Sequence, residues 1–347
     1  MLLQSEIGKT FAGYNFVVLN HAGTTQIQQL KRPYFSLLIT VMDFGKVASD
    51  QVETIDFTLS PDSPFTRETL SSAGKGHQPS IYVGCAKWGR KEWIGKIYPK
   101  GTKETAFLDH YVKHFNSIEL NATHYQIYGE DTIGKWAAKA GGRDFLFCPK
   151  VPQAISHYSN LISPDAQANT DRFLQGIMAF GKHLGPVFFQ VSERFSPTVK
   201  ANLYAYLKSL PRDILFFLEL RHPEWFSDKD LRNEWLHLLR ELNIGAVITD
   251  TTGRRDCAHM ELTVPSAFVR FVGNNLHPTD YSRIDEWVLR IKQWLENGLQ
   301  KLYFFMHQHD EKDSPELCNY VIEQLNQHCG TRLQPVKFID QQGNTLF

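Results

Sequence analysis

The stretch VFFQVSERFSPTVKANLYAYLKSLPRDILFFLEL, residues 187–220, decides the fold. It begins with the apolar run 187–191 and ends with the run 214–220, and both are rich in β-branched and aromatic residues, as buried strands are. Between the runs, Ser196 and Pro197 place a capping hydroxyl just before a proline suited to a first helical turn. The stretch therefore predicts a strand–helix–strand unit with parallel strands.

This pattern recurs along the chain beyond Pro79. Short apolar runs predict eight strands, over residues 81–85, 117–120, 145–148, 187–191, 214–220, 245–249, 267–272 and 302–306. Amphipathic stretches fit between them, and only residues 252–264 form a poor helix, because Gly253 lies inside and Pro265 follows. Eight such units in about 250 residues favour an α/β fold of the TIM-type (β/α)8 barrel, although a doubly wound open sheet has the same local pattern.

The two ends of the chain lack this pattern. Residues 1–78 are expected to form an irregular N-terminal extension, in which residues 60–78 have the composition of a linker. Residues 1–41 show no packing pattern, so Met42 is a candidate natural start and the residues before it a candidate non-native addition. We expect a barrel domain over residues 79–330 and a C-terminal tail over residues 331–347.

Composition bounds the class of protein. A hydrophobic fraction of 42% with 21% charged residues is typical of a globular domain with a sizeable core. Lys+Arg and Asp+Glu balance at 37 each, so no global positive field attracts nucleic acid or an anionic membrane. The five cysteines form no CxxC pair, which favours free thiols in a reducing compartment. No apolar run reaches the roughly 18 residues of a membrane span, so we expect a cytoplasmic protein with no membrane partner.

Functional groups of a barrel collect at the C-terminal ends of its strands. The candidates for catalysis at these ends are Glu119, Lys150 and Glu219. The candidates for substrate binding are Trp88, Asn121, Tyr125, His157, Arg221, His222, Trp225, Asp250 and Arg270.

Six motifs occur in a specific order: GCAKW (84–88), SIELNATHY (117–125), CPKVPQAISH (148–157), LGPVFFQ (184–190), LELRHPEWF (218–226) and ITDTTG (248–253). Together they resemble the YecE-like family (domain of unknown function seventy-two), which implies a TIM-type barrel and no settled reaction. The family pattern matches here at Glu119, Asn121, Tyr125, Lys150, Pro152, His157, Glu219, Arg221, His222, Trp225 and Asp250. The chain departs from it at Val272, where a histidine is common, and at residues 306–308, which replace an asparagine pair.

Two interpretations of the carboxylates stay open. Glu219 and Arg221 lie two residues apart and share one face of a strand, as Glu119 and Asn121 do. They can serve as acid/base catalysts beside a cation, or as a buried ionic plug in which Lys150 and Arg221 neutralise the glutamates. Lys150 can form a Schiff base if burial lowers its pKa, although a salt-bridged lysine is the commoner case.

A divalent metal is a less favoured alternative. The residues that could serve as its ligands are Glu219, His222, Asp250, His307, His309 and Asp310. Their spacing matches no recognised metal motif, and ordinary histidines in a solvated loop explain it equally. We therefore predict no metal and no cofactor.

The sequence leaves three functions to compare. The first is an enzyme of hydrolase or lyase type that acts on a polar, anionic small molecule, with Arg270 binding the anion. The second is a nucleic-acid-processing or nucleic-acid-binding barrel in which aromatic residues stack on bases. The third is a non-catalytic ligand-binding or scaffold protein. The oligomeric state is not predicted.

Overall fold

The computed structural model describes residues 44–74 and 78–339. Its strands are β1 (Ser80–Cys85), β2 (Ser117–Leu120), β3 (Leu146–Pro149), β4 (Val187–Gln190), β5 (Phe216–Glu219), β6 (Gly245–Asp250), β7 (Ser266–Gly273) and β8 (Lys301–Gln308). All eight predicted strands are confirmed, with ends shifted by at most two residues.

Helices alternate with these strands. They are α1 (Pro64–Ser72), α2 (Phe107–Tyr111), α3 (Ala122–Tyr125), α4 (Glu130–Ala140), α5 (Gln153–Ser156), α6 (Pro164–Ile177), α7 (Lys200–Ser209), α8 (Glu224–Ser227), α9 (Lys229–Glu241), α10 (Pro278–Glu296) and α11 (Ser314–Cys329). The connection from β6 to β7 holds only the short 3-10 helix Arg255–Cys257, as its glycine and proline predict. No helix within the described ranges is long and apolar enough to cross a membrane.

All paired strands are parallel. Six of them form a curled sheet in the order β1-β8-β7-β6-β5-β4, and β2 pairs with β3 in a second sheet. The predicted α/β fold is confirmed, and its parallel sheet is curled. The strand order lacks the reversal that defines a doubly wound sheet, so that alternative is wrong.

Side chains link β2 to β1. The Asn116 amide accepts a hydrogen bond from Val83 N–H and donates one to Ile81 O, each 2.8 Å long. The Tyr111 hydroxyl accepts one from Cys85 N–H at 2.7 Å. Gly84 is required here, because a Cβ at this position would lie 1.9 Å from the carbonyl oxygen of Ser117 in β2.

Backbone hydrogen bonds link β3 to β4. Gly185 N–H donates to Phe147 O and Val151 N–H donates to Phe188 O, both at 2.8 Å. The two-stranded sheet therefore contacts both outer strands of the six-stranded sheet.

Side chains alternate between the two faces of each strand. The outward faces pack on the helices. The inward faces form a separate apolar cluster of Tyr82, Cys148, Phe188, Phe217, Val247, Phe268, Tyr303 and Phe305, which Val264 joins from the connection before β7. Two positions further along the strands, the inward faces become polar. We call this set the polar layer, and it consists of Glu119, Lys150, Gln190, Glu219, Thr249, Arg270 and His307.

The linker predicted over residues 60–78 is wrong for its central part. Residues 64–72 form helix α1, whose N-terminus is capped by Ser63 Oγ accepting from Thr66 N–H. The Phe65 ring lies 3.4 Å from the guanidinium carbon of Arg240, and Thr66 is fully buried. Polar composition suggested a linker, but local capping and packing on α9 outweigh it.

The described residues on both sides of Pro79 belong to one compact unit, so the expected boundary there does not separate two units. In the expected C-terminal tail, Val336 is buried and Ile339 N–H donates to Lys96 O at 2.8 Å. The expectation that residues 1–41 are not native concerns residues outside the described ranges.

Candidate active site

Arg270 lies at the centre of the polar layer, between two carboxylates. Its Nε and Nη2 donate to Glu119 at 2.8 and 3.0 Å, and its Nη1 donates to Glu219 Oε2 at 3.0 Å. Arg270 is 6% exposed, and each of the two glutamates is at most 1% exposed. A guanidinium saturated by two carboxylates has little donor capacity left for a ligand, so the predicted role of Arg270 as the anion-binding residue is not favoured.

Each carboxylate has a second set of partners. Glu119 accepts from Asn121 Nδ2 at 2.9 Å and lies 3.0 Å from His307 Nε2. Glu219 accepts from Arg221 Nε at 2.6 Å. The i, i+2 spacing that the sequence shows on β2 and β5 therefore produces direct contacts.

These partners keep both glutamates ionised. Burial alone would raise the pKa of Glu119, but Arg270 and His307 outweigh it and hold the pKa well below the usual range. Burial likewise opposes ionisation of Glu219, yet Arg221 and Arg270 lower its pKa to about 2. A general acid must be protonated near the working pH, so neither glutamate fits the acid role that the sequence suggested.

The environment of Lys150 disfavours its charged form, in contrast to that of the two glutamates. Its Nζ donates to Gln190 Oε1 at 2.8 Å and lies 5.3 Å from the centroid of the Phe188 ring. Burial, followed by the nearby positive charges of Arg270 and Arg221, lowers the pKa of Lys150 to about 7. In the alternative of an ionic plug, Lys150 and Arg221 would neutralise the glutamates. Arg221 does pair with Glu219, but Arg270, and not Lys150, pairs with Glu119.

Two histidines lie beside Lys150. Their rings, His124 and His157, make an edge contact with centroids 4.9 Å apart. His124 Nδ1 is 2.9 Å from Val151 O, and His157 Nδ1 is 2.8 Å from Ser156 Oγ. Burial and the charge of Lys150 lower their pKa values, to about 3 for His124 and about 4 for His157. Both rings are neutral at physiological pH.

A cavity of about 210 Å³ opens over Arg270 and His307 of the polar layer. It is lined by Phe44, Arg221, Thr249, Arg270, Val272, His307, Gln308 and His309. Two buried atoms of the lining, Thr249 Oγ1 and Gln308 Nε2, have no hydrogen-bond partner among the described residues. Buried donors without partners are costly, and a polar ligand would satisfy them.

Most of the predicted site residues meet in or beside the polar layer, and among them Arg221 and Arg270 line the cavity. The structure brings together Glu119, Asn121, Lys150, Glu219, Arg221 and Arg270, with His157 beside Lys150.

Asp250 and Trp225 do not belong to the site. Asp250 points away from the cavity, where Trp287 Nε1 donates to it at 2.7 Å and Arg283 lies 2.9 Å away. Trp225 is fully buried, and its Nε1 donates to Phe195 O. Their predicted roles in substrate binding are replaced by structural contacts.

Three further candidates lie away from the cavity lining. Trp88 packs edge-on against Trp136, at 5.5 Å between centroids. Tyr125 is 73% exposed beside His124. The His222 ring contacts its own loop, where Nδ1 accepts from Glu224 N–H at 3.4 Å.

The residues considered for a metal are also separated, since Asp250 faces α10 while Glu219 and His307 face the interior. Within residues 44–74 and 78–339, no group of three or more His, Cys, Asp or Glu side chains is arranged to hold a metal ion.

Sequence reasoning missed Phe44 and Thr249 in the cavity lining. No alternation in β6 marks Thr249, because both faces of this strand are buried. In the sequence, Phe44 lies far from the end of any strand, and no local pattern marks it.

These features define an α/β protein whose curled parallel sheet holds a buried charged layer beneath a small polar cavity. The chain belongs to the family described as Protein of unknown function DUF72, whose model matches residues 82–338. The resemblance predicted from the six motifs is thereby confirmed.

Relatives of known sequence and structure agree. The UPF0759 protein YecE of Escherichia coli K12 is 25% identical over 263 residues, which cover 71% of this chain and 92% of that protein. The UPF0759 protein YunF of Bacillus subtilis is 31% identical over 154 residues, covering 42% of this chain and 52% of YunF. A crystal structure of a DUF72 family protein from Enterococcus faecalis superposes with a TM-score of 0.57 at 16% identity, covering 74% of this chain and 98% of that one. This last likeness shows the shared fold alone.

Proposed function

We propose that this protein is an enzyme of lyase type that acts on a polar, anionic small molecule carrying a carbonyl group, with Lys150 as the reacting amine. In the same proposal, β2 and β3 close the curled sheet into an eight-stranded barrel, and the reaction takes place at the C-terminal ends of the strands.

The observation that carries the proposal is the burial of Lys150, whose Nζ donates to the neutral Gln190 Oε1 at 2.8 Å and forms no ion pair with a carboxylate of the described residues. Of the polar layer's two carboxylates and its lysine, only Lys150 titrates near neutral pH, at about 7. A large fraction of its amine is therefore unprotonated and nucleophilic under physiological conditions. A surface lysine, with a pKa near 10.4, is almost wholly protonated there.

The neighbouring residues fit imine chemistry. The Nζ electron pair would attack the carbonyl carbon, and the carbonyl oxygen would leave as water with one proton from the amine and one from solvent. The product is a protonated imine, whose positive charge Glu119 and Glu219 would stabilise as permanent carboxylates. Such an iminium accepts the electron pair of the C–C bond one carbon away. That bond breaks, an enamine forms, and the other fragment leaves as carbon dioxide, or as an aldehyde whose hydroxyl proton passes to water, which is the chemistry of a lyase.

Arg221 fits the anionic group of the substrate better than Arg270 does. It lines the cavity, and its Nε is held by Glu219. Its Nη1 lies 3.8 Å from Glu193 Oε1, beyond hydrogen-bonding distance, so this end of the fork can donate to a carboxylate or phosphate.

Reductive trapping tests the proposal. Pyruvate or glyoxylate is incubated with the protein and sodium borohydride, and the alkylated lysines are located by peptide mass spectrometry. We expect alkylation at Lys150 that rises as the pH passes about 7. Lys91 is an internal control, because Glu104 raises the pKa of that fully exposed lysine and its alkylation should need more alkaline pH.

The variant Lys150→Met should lose the neutral-pH labelling. Labelling spread over exposed lysines, with Lys150 unmodified between about pH 7 and pH 9, would contradict the proposal.

A nucleic-acid-binding role is the second candidate, because two aromatic side chains beside the histidine pair are strongly exposed. Tyr125 is 73% exposed and Tyr158 is 78% exposed. Stacking on a base stabilises binding by about 1–3 kcal/mol. Fluorescence anisotropy with a labelled single-stranded oligonucleotide tests this role, and a Tyr125→Ala, Tyr158→Ala double variant should then bind at least tenfold more weakly.

A further inference from the structure

Phe44 belongs to the cavity, although it lies well ahead of residues 82–338, which the family model matches. Its ring centroid is 3.9 Å from the guanidinium carbon of Arg221 and 5.1 Å from that of Arg254. Guanidinium groups stack favourably on aromatic faces, most strongly where water is partly excluded. A residue outside the family-matched region therefore covers one face of the arginine that lines the cavity.

Two glycines fix the position of Phe44. Gly45 has a φ of +72°, and a Cβ there would lie 2.4 Å from the Thr251 side chain. Gly253 N–H donates to Gly45 O at 2.7 Å, and a Cβ on Gly253 would lie 3.1 Å from that oxygen. The backbone at Gly45 can approach the loop after β6 this closely because Gly45 and Gly253 both lack a side chain.

Arg221 is consequently held from two directions. Glu219 accepts from its Nε at 2.6 Å, and the Phe44 ring covers one face of the guanidinium plane. A planar group fixed at one atom and one face keeps little rotational freedom, so the Nη edge has one preferred orientation. Arg254, on the same ring, is instead fixed by a bidentate pair with Asp256, at 2.9 and 2.7 Å.

We propose that Phe44 is a positioning residue that holds Arg221 for the anionic group of the ligand, so that residues 44–45, ahead of the family-matched region, complete the binding site. This inference rests on the proposed function in one respect, the assignment of Arg221 as the anion-binding residue. The ligand that this arrangement favours is a small molecule with a carboxylate or phosphate group, bound in the cavity with that group at the Nη atoms of Arg221.

The test measures the reactivity of Arg221 directly. Phenylglyoxal modifies accessible arginines, and peptide mass spectrometry gives the rate at Arg221, with and without inorganic phosphate as the probe anion. In the native chain, phosphate should protect Arg221. In Phe44→Ala we expect faster modification of Arg221 and about five- to thirtyfold weaker protection, the range that loss of a partly desolvated cation–π contact implies.

Matched controls separate positioning from general damage. Phe44→Tyr keeps the aromatic face and should behave as the native chain does. Arg143 is exposed just before β3, so its modification rate should be equal in all variants. Gly45→Val, which displaces Phe44 without changing it, should reproduce Phe44→Ala, and thermal unfolding of each variant confirms that it is folded.

An unchanged rate at Arg221 and unchanged phosphate protection in folded Phe44→Ala would overturn the inference. This readout does not involve Lys150. Failure of reductive trapping with phosphate protection intact would remove the lyase proposal and leave Phe44 and Arg221 as parts of a ligand-binding site.

Discussion

Arg270 Nη1 lies 3.0 Å from Glu219 Oε2, although their strands, β7 and β5, are separated in the sheet by β6. The contact crosses the concave face of the curled sheet instead of running along it. Arg270 also reaches Glu119 on β2, in the other sheet. One buried cation therefore connects strands that share no backbone hydrogen bond, and its two carboxylates determine both the stability and the electrostatics of the interior.

Removing the charge of Glu219 should destabilise the fold. We expect Glu219→Gln to lower the free energy of unfolding by about 3 kcal/mol at neutral pH, because Arg221 and Arg270 lose a buried counter-charge. Urea unfolding measures this change. The surface variant Glu234→Gln, which breaks an exposed pair with Lys200, should cost less than about 1 kcal/mol.

The pH dependence of that loss follows from the lowered pKa. Glu219 has a pKa of about 2 in the folded chain against an ordinary value of 4.5. Its contribution is fully present above about pH 4.5 and is lost as the pH falls through about 2, because the unfolded chain binds the proton first. The difference in the free energy of unfolding between the native chain and Glu219→Gln should therefore shrink as the pH falls toward about 2. A gap that stays constant below about pH 4 would contradict this assignment.

Asp250 should behave as a structural residue, in contrast to its predicted role. Its carboxylate is fully buried among Arg255, Arg283 and Trp287 on the outer face of β6. We expect Asp250→Asn to lower Tm by on the order of 5–10 °C, as the loss of one partner of a buried ion pair implies. Reductive trapping at Lys150 should proceed at the native rate in the folded variant, and loss of trapping would return Asp250 to the site.

The contrast between Thr249 and Asp250 shows how far sequence reasoning could reach. The strands and their order along the chain follow from hydrophobic runs, so the polar strand ends were predictable. The face on which each polar residue lies depends on the strand's exact register. Asp250 was placed in the site and Thr249 was not, because a run that is buried on both faces shows no alternation to read.

Phe44 and Asn116 show what the sequence could not reveal. Phe44 reaches Arg221 through a close backbone approach between Gly45 and Gly253, residues about two hundred positions apart, and no local pattern encodes such a contact. The side chain of Asn116 replaces backbone pairing between β1 and β2. In the sequence, Asn116 looks like an ordinary polar residue before a strand. The direct pairing of Arg270 with both glutamates likewise depends on the curl of the sheet.

Asn116 should be important for the link between β1 and β2. In Asn116→Ala, Val83 N–H and Ile81 O lose their partners, and Val83 is 1% exposed. We expect a loss of about 2 kcal/mol and faster amide hydrogen exchange at Val83, because a buried donor is left unsatisfied. Asn297→Ala, at the exposed end of α10, is the control and should change stability by less than about 0.5 kcal/mol. Unchanged exchange at Val83 would show that the link does not depend on Asn116.

Replacing Lys150 should stabilise the protein while abolishing its proposed reactivity. The folded chain lowers the pKa of Lys150 from 10.5 to about 7, so the unfolded chain binds more protons between these two values. The native stability should therefore rise with pH through this window, and the penalty of the buried ammonium is largest below about pH 7. We expect Lys150→Met to raise the free energy of unfolding by about 1–4 kcal/mol near pH 6, with the difference shrinking toward pH 10. Urea unfolding at several pH values measures it, with Lys91→Met as an exposed control that should follow the native curve. A Lys150→Met variant less stable than the native chain near pH 6 would mean that Glu119 and Glu219 hold the ammonium as a net favourable ion, which would remove the basis for a neutral amine at this position.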